Sequence, residues 1–545
     1  MQRSESLFRA LVRHFFQRFF DTESISPQGE PEANVMQLLG LLAAPAGIMV
    51  ILFQLLTFRG WGLVTVRSFF VSLSMIVMGF VVVFEWDVLF PDRRDYQVLT
   101  PLPLSLSTIF LTKTLALGIF LGMFLLDVNF FSILLWSGID GGPDLLAIEA
   151  AHIATVLASG LFAALAMGAL QGILITVLPT ELFRRVSIVI QTILMAALVL
   201  LFFVSPMFAG KLPVLLKQHS PIVYWWPGFW FVGFYETLRP AVKSPELLHL
   251  GHIAWRALGI VVAVFVLTYL PGYRRHARKI LDAPQPSPSG PGRLSRAVSR
   301  LIDRFILKHP VQQAAFHFIN QTITRSMKHR LFLASYAGAG GAIALLTLTG
   351  GRSGPLRLSL TLSFILISAL RAAFNFPSEL RANWAFQMCD TNYGRESLAA
   401  MRKWIVVCAI VPLFTLLAPL EFHFYPWAEA LFYLGFGAAL SLVLMEVMFL
   451  GFRKVPFTCA YLPGKVNLVA LVVIYCFGFT LYSRTMSNLA EWLAATPVAA
   501  VLFFAVSAAA YIGVGWCRDR LVGRETVLDF EDAGDPEVRT LELHA

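Results

Sequence analysis

Long runs of apolar residues, each about as long as a membrane-crossing helix, recur along most of the chain. A helix needs about 20 apolar residues to cross the hydrocarbon core of a bilayer. Twelve spans are predicted on this basis, near residues 36–57, 63–84, 107–136, 150–178, 187–209, 254–272, 331–350, 357–376, 402–420, 428–451, 466–483 and 496–516. The predicted fold is therefore an all-α polytopic membrane protein.

A basic amphipathic segment precedes each group of six spans. In the segment 5–20 the apolar stripe consists of Phe8, Val12, Phe15, Phe16 and Phe19. In the segment 294–308 it consists of Leu294, Val298, Leu301, Ile302 and Phe305. Arginines flank both stripes, so we predict two interfacial helices, each with its apolar face in lipid and its basic face toward anionic headgroups. A solvated basic tail followed by a linker is the alternative.

The same pattern suggests that the chain is a tandem duplication. The two stripes are 286 residues apart, and the same offset relates Phe90-Pro91 to Phe376-Pro377. Residues 283–292 are rich in Pro, Ser and Gly, which is typical of a flexible linker. We predict a first membrane half over 1–282, a second over 293–516, and a polar cytoplasmic tail over 517–545.

Composition and charge narrow the class of protein. Of the 545 residues, 57% are apolar and only 14% are charged, and the mean hydropathy is +0.70. A soluble domain carries roughly 25% charged residues, so a soluble enzyme, a disordered protein and a small disulfide scaffold are excluded. Basic residues concentrate in segments such as 273–330, whereas 137–149 has three acids and no base. Because Lys and Arg stay on the cytoplasmic side, we expect both termini to be cytoplasmic, although Arg59, Arg352 and Arg357 would then lie outside.

The sequence offers little covalent chemistry. It has no G-x-x-x-x-G-K-[ST] loop for nucleotide phosphates. The segment 351–354 matches the G-x-S-G of intramembrane serine proteases, but it lies at a loop without a histidine base deep in a span. His249 and His252 have no evident third ligand for zinc. We therefore predict no catalytic, cofactor-binding or metal-binding residue in this chain.

Charged residues within spans are costly and usually functional. Asp127, which lies beside Asn129 in the third span, is the best candidate for a pathway or proton-coupled residue, and Glu446 is a second pathway candidate. A structural hydrogen bond to a neighbouring span is the simpler explanation for Asp127. For Glu446, Arg67 and Arg371, which lie near the ends of spans, the simpler alternative to a functional role is that the side chain snorkels to the membrane interface.

The longest predicted external connection, 211–253, is unusually aromatic at its centre. Six of the eight residues from 224 to 231 are aromatic, which is too many for a solvated loop. We predict a short re-entrant or interfacial hairpin that covers the outer end of the bundle and contains Trp225, Trp226 and Trp230. A plain aromatic belt at the membrane interface is the alternative.

The predicted internal loop 85–106 is the most informative segment. The charged run Asp92, Arg93, Arg94 and Asp95 is followed by YQVLTPLPLS at 96–105, and the chain then reaches Lys113. The Pro-x-Pro turn at 101–103 stiffens the loop, as a docking element that transmits force requires. A surface loop without a partner is the alternative.

The stretch from Asp95 to Ser105, leading to Lys113, resembles the permease subunits of ABC transporters of the ABC-2, or type V exporter, class. That family has an interfacial helix and six spans in each half. It also has an internal loop between spans two and three that couples to the ATPase, and an external re-entrant hairpin between spans five and six. The first half matches all four features in order. The second half lacks a long last external connection, since 484–495 is short.

The resemblance implies a membrane-spanning permease of an ATP-driven exporter in the bacterial inner membrane, with no enzymatic activity of its own. Two copies of a separate ABC ATPase, which would carry ATP and Mg²⁺, are expected to dock on the internal loops. The implied docking residues are Asp92, Arg93, Arg94 and Asp95 in one half and Glu379, Arg381 and Arg395 in the other.

Beyond the ATPase, we expect the lipid bilayer as surroundings and no nucleic acid as partner. The substrate is not identified; the many Phe residues suit lipids, drugs or lipid-linked glycans, and equally suit plain lipid contact. An ion-coupled secondary transporter, a polytopic membrane enzyme and a structural subunit of a membrane complex are the alternatives.

Overall fold

The computed structural model describes most of the chain as long helices. The described residues are 2–20, 61–86, 104–141, 144–239, 244–282, 293–348, 354–378, 383–384, 386, 394–452, 454–458, 478–479 and 481–522. All regular secondary structure in these ranges is helical. Contacts divide the described chain into two compact units, the first built on residues 2–282 and the second on residues 293–522.

The first unit is arranged around one central helix. Its described helices are α1 (Gln2–Phe20), α2 (Leu63–Phe84), α3 (Leu106–Asp140), α4 (Leu145–Val177), α5 (Thr180–Lys217), α6 (Ile222–Trp225), α7 (Pro227–Leu238) and α8 (Pro245–Asp282). The most apolar stretch of α2 is 83% buried within the protein. A helix that is hydrophobic on all sides belongs in the interior, and α2 accordingly packs against α3, α4, α5 and α7.

The second unit contains a long helical segment with a wider turn in its middle. Its described helices are α9 (Arg293–Phe305), α10 (Pro310–Arg325), α11 (Met327–Leu348), α12 (Gly354–Ala373), α13 (Gly394–Ile405), α14 (Val411–Phe424), α15 (Trp427–Met448), α16 (Met486–Ala494) and α17 (Pro497–Val522). A π-helical turn, Val406–Ile410, joins α13 directly to α14. A second π-helical turn, Leu481–Thr485, leads into α16.

Ten described helices are long and apolar enough to cross a membrane. Each coincides with one of the predicted spans, and α2 begins and ends at the predicted residues. The predicted span 36–57 and most of 466–483 lie outside the described residues. The polytopic, helical membrane fold is thus confirmed, while the count of twelve spans and the tandem halves stay predictions.

Both predicted interfacial segments are helical, but their apolar stripes have different surroundings. In α1, Leu11 and Phe15 are buried against α3 in a cluster with Phe120. Phe15, which belongs to the first stripe, and Leu11, which lies beside it, therefore contact protein rather than the predicted lipid, because α3 offers apolar side chains to them. In α9, the stripe residues Val298, Leu301 and Phe305 are 50%, 63% and 68% exposed.

The backbones of α7 and α8 touch at two glycines. A Cβ atom on Gly233 of α7 would overlap the carbonyl oxygen of Leu247 and lie 2.5 Å from the amide nitrogen of Gly251. A Cβ atom on Gly251 would lie 2.6 Å from the carbonyl oxygen of Gly233. Small residues at a crossing let two helices approach this closely, so the pair sets how α7 lies against α8.

We predict that Gly233→Ala destabilises the protein by about 1–3 kcal/mol, because the added methyl group forces the two backbones apart. The thermal unfolding midpoint of the purified protein in detergent measures the effect. Gly259→Ala on α8 is the matched control, since a Cβ atom there meets no atom within 4 Å. An unchanged midpoint for Gly233→Ala would contradict the close approach.

Candidate functional site

The predicted hairpin is a pair of helices packed into the first unit. We use the name aromatic hairpin for α6 and α7, residues 222–238. Within it, α7 packs against α8, α4 and α2, and Phe229 and Phe231 are fully buried. Trp226 stacks on Phe208 of α5 with ring centroids 5.2 Å apart. A plain aromatic belt does not describe a segment whose centre lies among other helices.

The three tryptophans predicted for the hairpin have different surroundings. Trp225 is 83% exposed and ends α6. Trp226 is partly buried against α5. The Trp230 indole donates to the carbonyl oxygen of Tyr224 at 2.9 Å, which ties α7 to α6. Trp225 is therefore available to lipid or solvent, Trp226 packs the hairpin against α5, and Trp230 joins its two helices.

A buried ionic cluster fastens the aromatic hairpin to the central helix. We call it the Arg67 cluster; it consists of Arg67, Asp140, Tyr235, Glu236 and Arg239. Arg67 of α2 donates to Glu236 of α7 at 2.7 Å and lies 3.4 Å from Asp140 at the end of α3. Its guanidinium carbon is 3.6 Å from the centre of the Tyr235 ring. Three helices thus meet on one arginine that is 1% exposed.

Two further contacts satisfy the remaining charge in the Arg67 cluster. The Tyr235 hydroxyl donates to Asp140 at 2.9 Å, and Arg239 lies 3.4 Å from the same carboxylate. Tyr235 is outside the ten long apolar helices, and burial raises the pKa of its phenol, so the group remains a donor. Two guanidiniums therefore face two carboxylates, which is the balance that buried charges require.

The Arg67 cluster overturns one interpretation made from the sequence and gives Asp140 partners that the sequence did not indicate. Arg67 does not snorkel to an interface, because its side chain is buried and ion-paired. Asp140, predicted to be an acid of the external loop 137–149, converges with Arg67 and Arg239. Arg67 and Glu236 are 169 residues apart in the sequence, so only the packing of α2, α3 and α7 brings the charged groups together.

The end of α2 that leads into the predicted docking loop is held by buried polar contacts. Trp86 is fully buried, and its indole donates to the Ser187 hydroxyl of α5 at 2.8 Å. Gln171 of α4 donates to the Trp86 carbonyl oxygen at 2.7 Å, and Gln191 of α5 donates to that of Val83 at 2.8 Å. Three hydrogen bonds therefore join this end of α2 to α4 and α5.

The corresponding end of α12, in the second unit, is held in a similar way. Arg371 donates to the carbonyl oxygen of Met448 at 3.1 Å and lies 4.9 Å from the centre of the Phe452 ring. His329 of α11 donates to the carbonyl oxygen of Phe376 at 3.1 Å. Arg371 therefore bonds to a neighbouring helix in addition to reaching the end of its span.

Glu446, predicted as a pathway residue, is the centre of a buried ionic triad. Its carboxylate binds Arg402 of α13 through one oxygen and Arg518 of α17, at 2.6 Å, through the other. The Glu446 side chain is fully buried. Snorkelling therefore does not explain Glu446, and the triad ties α13, α15 and α17 together.

Asp127 has a different environment from the one expected. The hydrogen bond to a neighbouring span is made by Asn129, which donates to Ser74 of α2 at 3.0 Å. In the part of the chain that the structure describes, Oδ2 of Asp127 has no hydrogen-bond partner. The residue is partly exposed between Leu126 and Phe130, which are 58% and 56% exposed.

Most of the predicted docking residues cannot be placed. Asp92, Arg93, Arg94, Asp95, Glu379 and Arg381 lie outside the described residues, as does most of the G-x-S-G match. Arg395 is exposed in the first turn of α13, two helical turns before Arg402. Over the ranges described, no group of three or more His, Cys, Asp or Glu is placed to hold a metal ion.

Sequence reasoning missed Glu421, a fully buried acid on α14. The predicted span 402–420 ends one residue earlier, which assigns the glutamate to a loop. The sequence APLEFHF at 418–424 places this acid among apolar and aromatic residues. That pattern could have indicated that Glu421 is buried.

We predict that Arg67→Met destabilises the protein by about 3–5 kcal/mol, because it leaves two buried carboxylates with one remaining guanidinium. Adding Glu236→Gln should restore part of the loss, since it removes one of the unpaired charges. The thermal unfolding midpoint in detergent measures the stability of the single and the double variant. Lys211→Met is the control, because Lys211 is exposed on α5; an equal effect at Lys211 would contradict the special role of the cluster.

For the Glu446 triad we predict that Glu446→Gln lowers the stability of the protein more than Arg518→Met does. The first change leaves Arg402 and Arg518 facing each other without an anion, whereas the second leaves a neutral Arg402–Glu446 pair. The free energy of unfolding in denaturant compares the two variants. The reverse order would show that Glu446 is not the shared partner of both arginines.

No protein-family model, curated protein or solved structure matches this chain. Its likeness to ABC-2 permeases therefore rests on the loop sequence and on the order of predicted elements.

Proposed function

We propose that this chain is the membrane-spanning permease subunit of an ATP-driven exporter of the ABC-2 class, and that it docks two copies of a separate ABC ATPase. One observation carries the proposal. The central helix α2 is fastened at both ends, by the polar contacts at Trp86 on one side and by the Arg67 cluster on the other. It thereby links the predicted docking loop to the aromatic hairpin.

A helix fastened in this way can transmit displacement. The 22 residues of α2 span about 33 Å at 1.5 Å per residue. A movement of the loop that follows Trp86 would shift α2 together with α4 and α5, because three hydrogen bonds join them there. At the far end the same shift reaches α7 through the ion pair of Arg67 with Glu236. A permease driven by an ATPase on one side requires this kind of connection.

The second unit supports the proposal at its own predicted docking loop. The loop follows α12, whose end is held by Arg371 and His329, and precedes α13, which carries Arg395 and Arg402. The Glu446 triad connects α13 to α15 and α17. Force applied near Arg395 would therefore pass to two further helices.

The bacterial inner membrane, cytoplasmic termini and a lipophilic substrate belong to the same proposal. An ion-coupled secondary transporter is the second candidate. It is favoured by Oδ2 of Asp127, which has no hydrogen-bond partner among the residues that the structure describes. The two candidates differ in whether an ATPase accompanies the chain.

The proposal predicts that tagged protein, purified in mild detergent, carries a stoichiometric nucleotide-binding subunit with ATPase activity. The double variant Arg93→Glu and Arg94→Glu should lose most of that subunit, because reversing two charges repels a complementary docking surface. Arg185→Glu is the control on the same predicted side, since Arg185 is exposed at the start of α5.

Co-purification of the subunit with wild type and Arg185→Glu, but not with the double variant, supports the docking loop. A preparation of the chain alone, without ATPase activity, would favour the secondary transporter. Full association with the double variant would place docking elsewhere.

A further inference from the structure

Glu421 is a buried acid that forms no ion pair with any residue that the structure describes. Its side chain is fully buried in the second unit, three residues before the end of α14. One carboxyl oxygen is hydrogen-bonded to the Ser359 hydroxyl of α12. Within the described chain, the other oxygen, Oε2, has no hydrogen-bond partner. A carboxylate in such a site would keep its charge away from bulk solvent and without a counter-ion from the described chain, which is a costly arrangement.

The charged and titratable groups around Glu421 do not neutralise it. On α12, Arg357 directs its Nε to the Ser487 hydroxyl of α16 at 3.3 Å. The titratable residues between the end of α14 and the first turns of α15 are Tyr425, Glu429 and Tyr433. Neither a second acid nor a phenol supplies positive charge.

The titratable groups on the neighbouring segments supply no positive charge to Glu421 either. The hydroxyl of Tyr482, on the segment before α16, lies 3.4 Å from that of Ser363. His423, on the helix of Glu421 itself, and Glu491 and Arg484, on the segment around α16, are exposed. Arg371 and Glu446, the other charged groups of α12 and α15, lie near the opposite ends of their helices and bind each its own partners. An apolar cluster that includes Leu356, Leu360 and Phe436 fills the surrounding space.

Two other buried acids of the described chain, Glu446 and Glu236, are paired quite differently. Glu446, equally buried, binds two guanidiniums, and Glu236 binds one. Glu421 has instead a serine hydroxyl whose own proton can go to the carbonyl oxygen of Pro355, 3.3 Å away. A neutral carboxylic acid satisfies this geometry, because it can donate its proton to Ser359 while Ser359 donates to Pro355.

We propose that Glu421 is a proton-binding site of the second unit, occupied by one proton when its carboxyl group is packed against Ser359. The ligand is a proton rather than a metal ion, since one hydroxyl and one carboxyl do not make a coordination shell. Uptake and release of this proton would make the arrangement of α12, α14 and α15 depend on pH. The inference is independent of the exporter assignment and holds whether or not an ATPase associates.

Infrared difference spectroscopy of the full chain in lipid tests the proposal directly. The spectrum of wild type minus Glu421→Gln should show the carbonyl stretch of a protonated carboxylic acid, lost in the variant. Wild type minus Glu446→Gln should instead show the bands of an ionised carboxylate, because Glu446 is paired with two arginines. Loss of carboxylate bands in Glu421→Gln would overturn the proposal.

A second measurement needs no variant and so decides the question even if Glu421→Gln fails to fold. Hydrophobic carbodiimides attach to protonated carboxyl groups in apolar surroundings. After treatment of wild type, mass spectrometry of the peptides should find the modification on Glu421 and not on Glu446. Modification of Glu446 with none on Glu421 would contradict the proposed protonation states.

Discussion

A polar side chain that leaves water among apolar helices must find its partner on another helix. Arg67 illustrates the effect of this constraint, since it draws Asp140 from α3 and both Tyr235 and Glu236 from α7 onto one guanidinium. The aromatic rings of α7 alone could pack in several orientations. The ion pairs select one, because every other orientation would leave charge unpaired inside the protein.

The same constraint operates at the opposite end of α2, with neutral groups. Gln191 and Gln171 donate to the carbonyl oxygens of Val83 and Trp86, because the last carbonyl groups of a helix have no partner within it. Ser187 accepts from the Trp86 indole. The resulting helix is fixed at its two ends and is mostly apolar between them. Its sequence alone would not distinguish it from any other span.

The helices could be predicted because a bilayer requires an apolar run of a certain length. Such a run can be recognised in the sequence without knowing which helices pack against it. This is why α2 agrees with prediction at both ends, whereas α3 and α5 continue for several residues past the apolar run. The pairing of charges was not predictable, because it depends on which helices become neighbours. Arg67 and Arg371 both lie near span ends, yet one forms ion pairs and the other bonds to a carbonyl oxygen. Likewise, the stripe of α1 signalled an amphipathic helix but not that α3 would cover Leu11 and Phe15.

The π-helical turn at Val406–Ile410 also limits what periodicity can show. An α-helix turns by about 100° per residue, and a π-helical turn accommodates one extra residue. Side chains before and after the turn therefore follow two helical wheels offset by about 100°. Arg402 and Glu421 belong to one continuous helical segment. If a regular α-helical period were counted from Arg402, it would nevertheless place Glu421 on the wrong face of the helix. The extra residue of the π-helical turn thus redirects every side chain of α14 relative to α13.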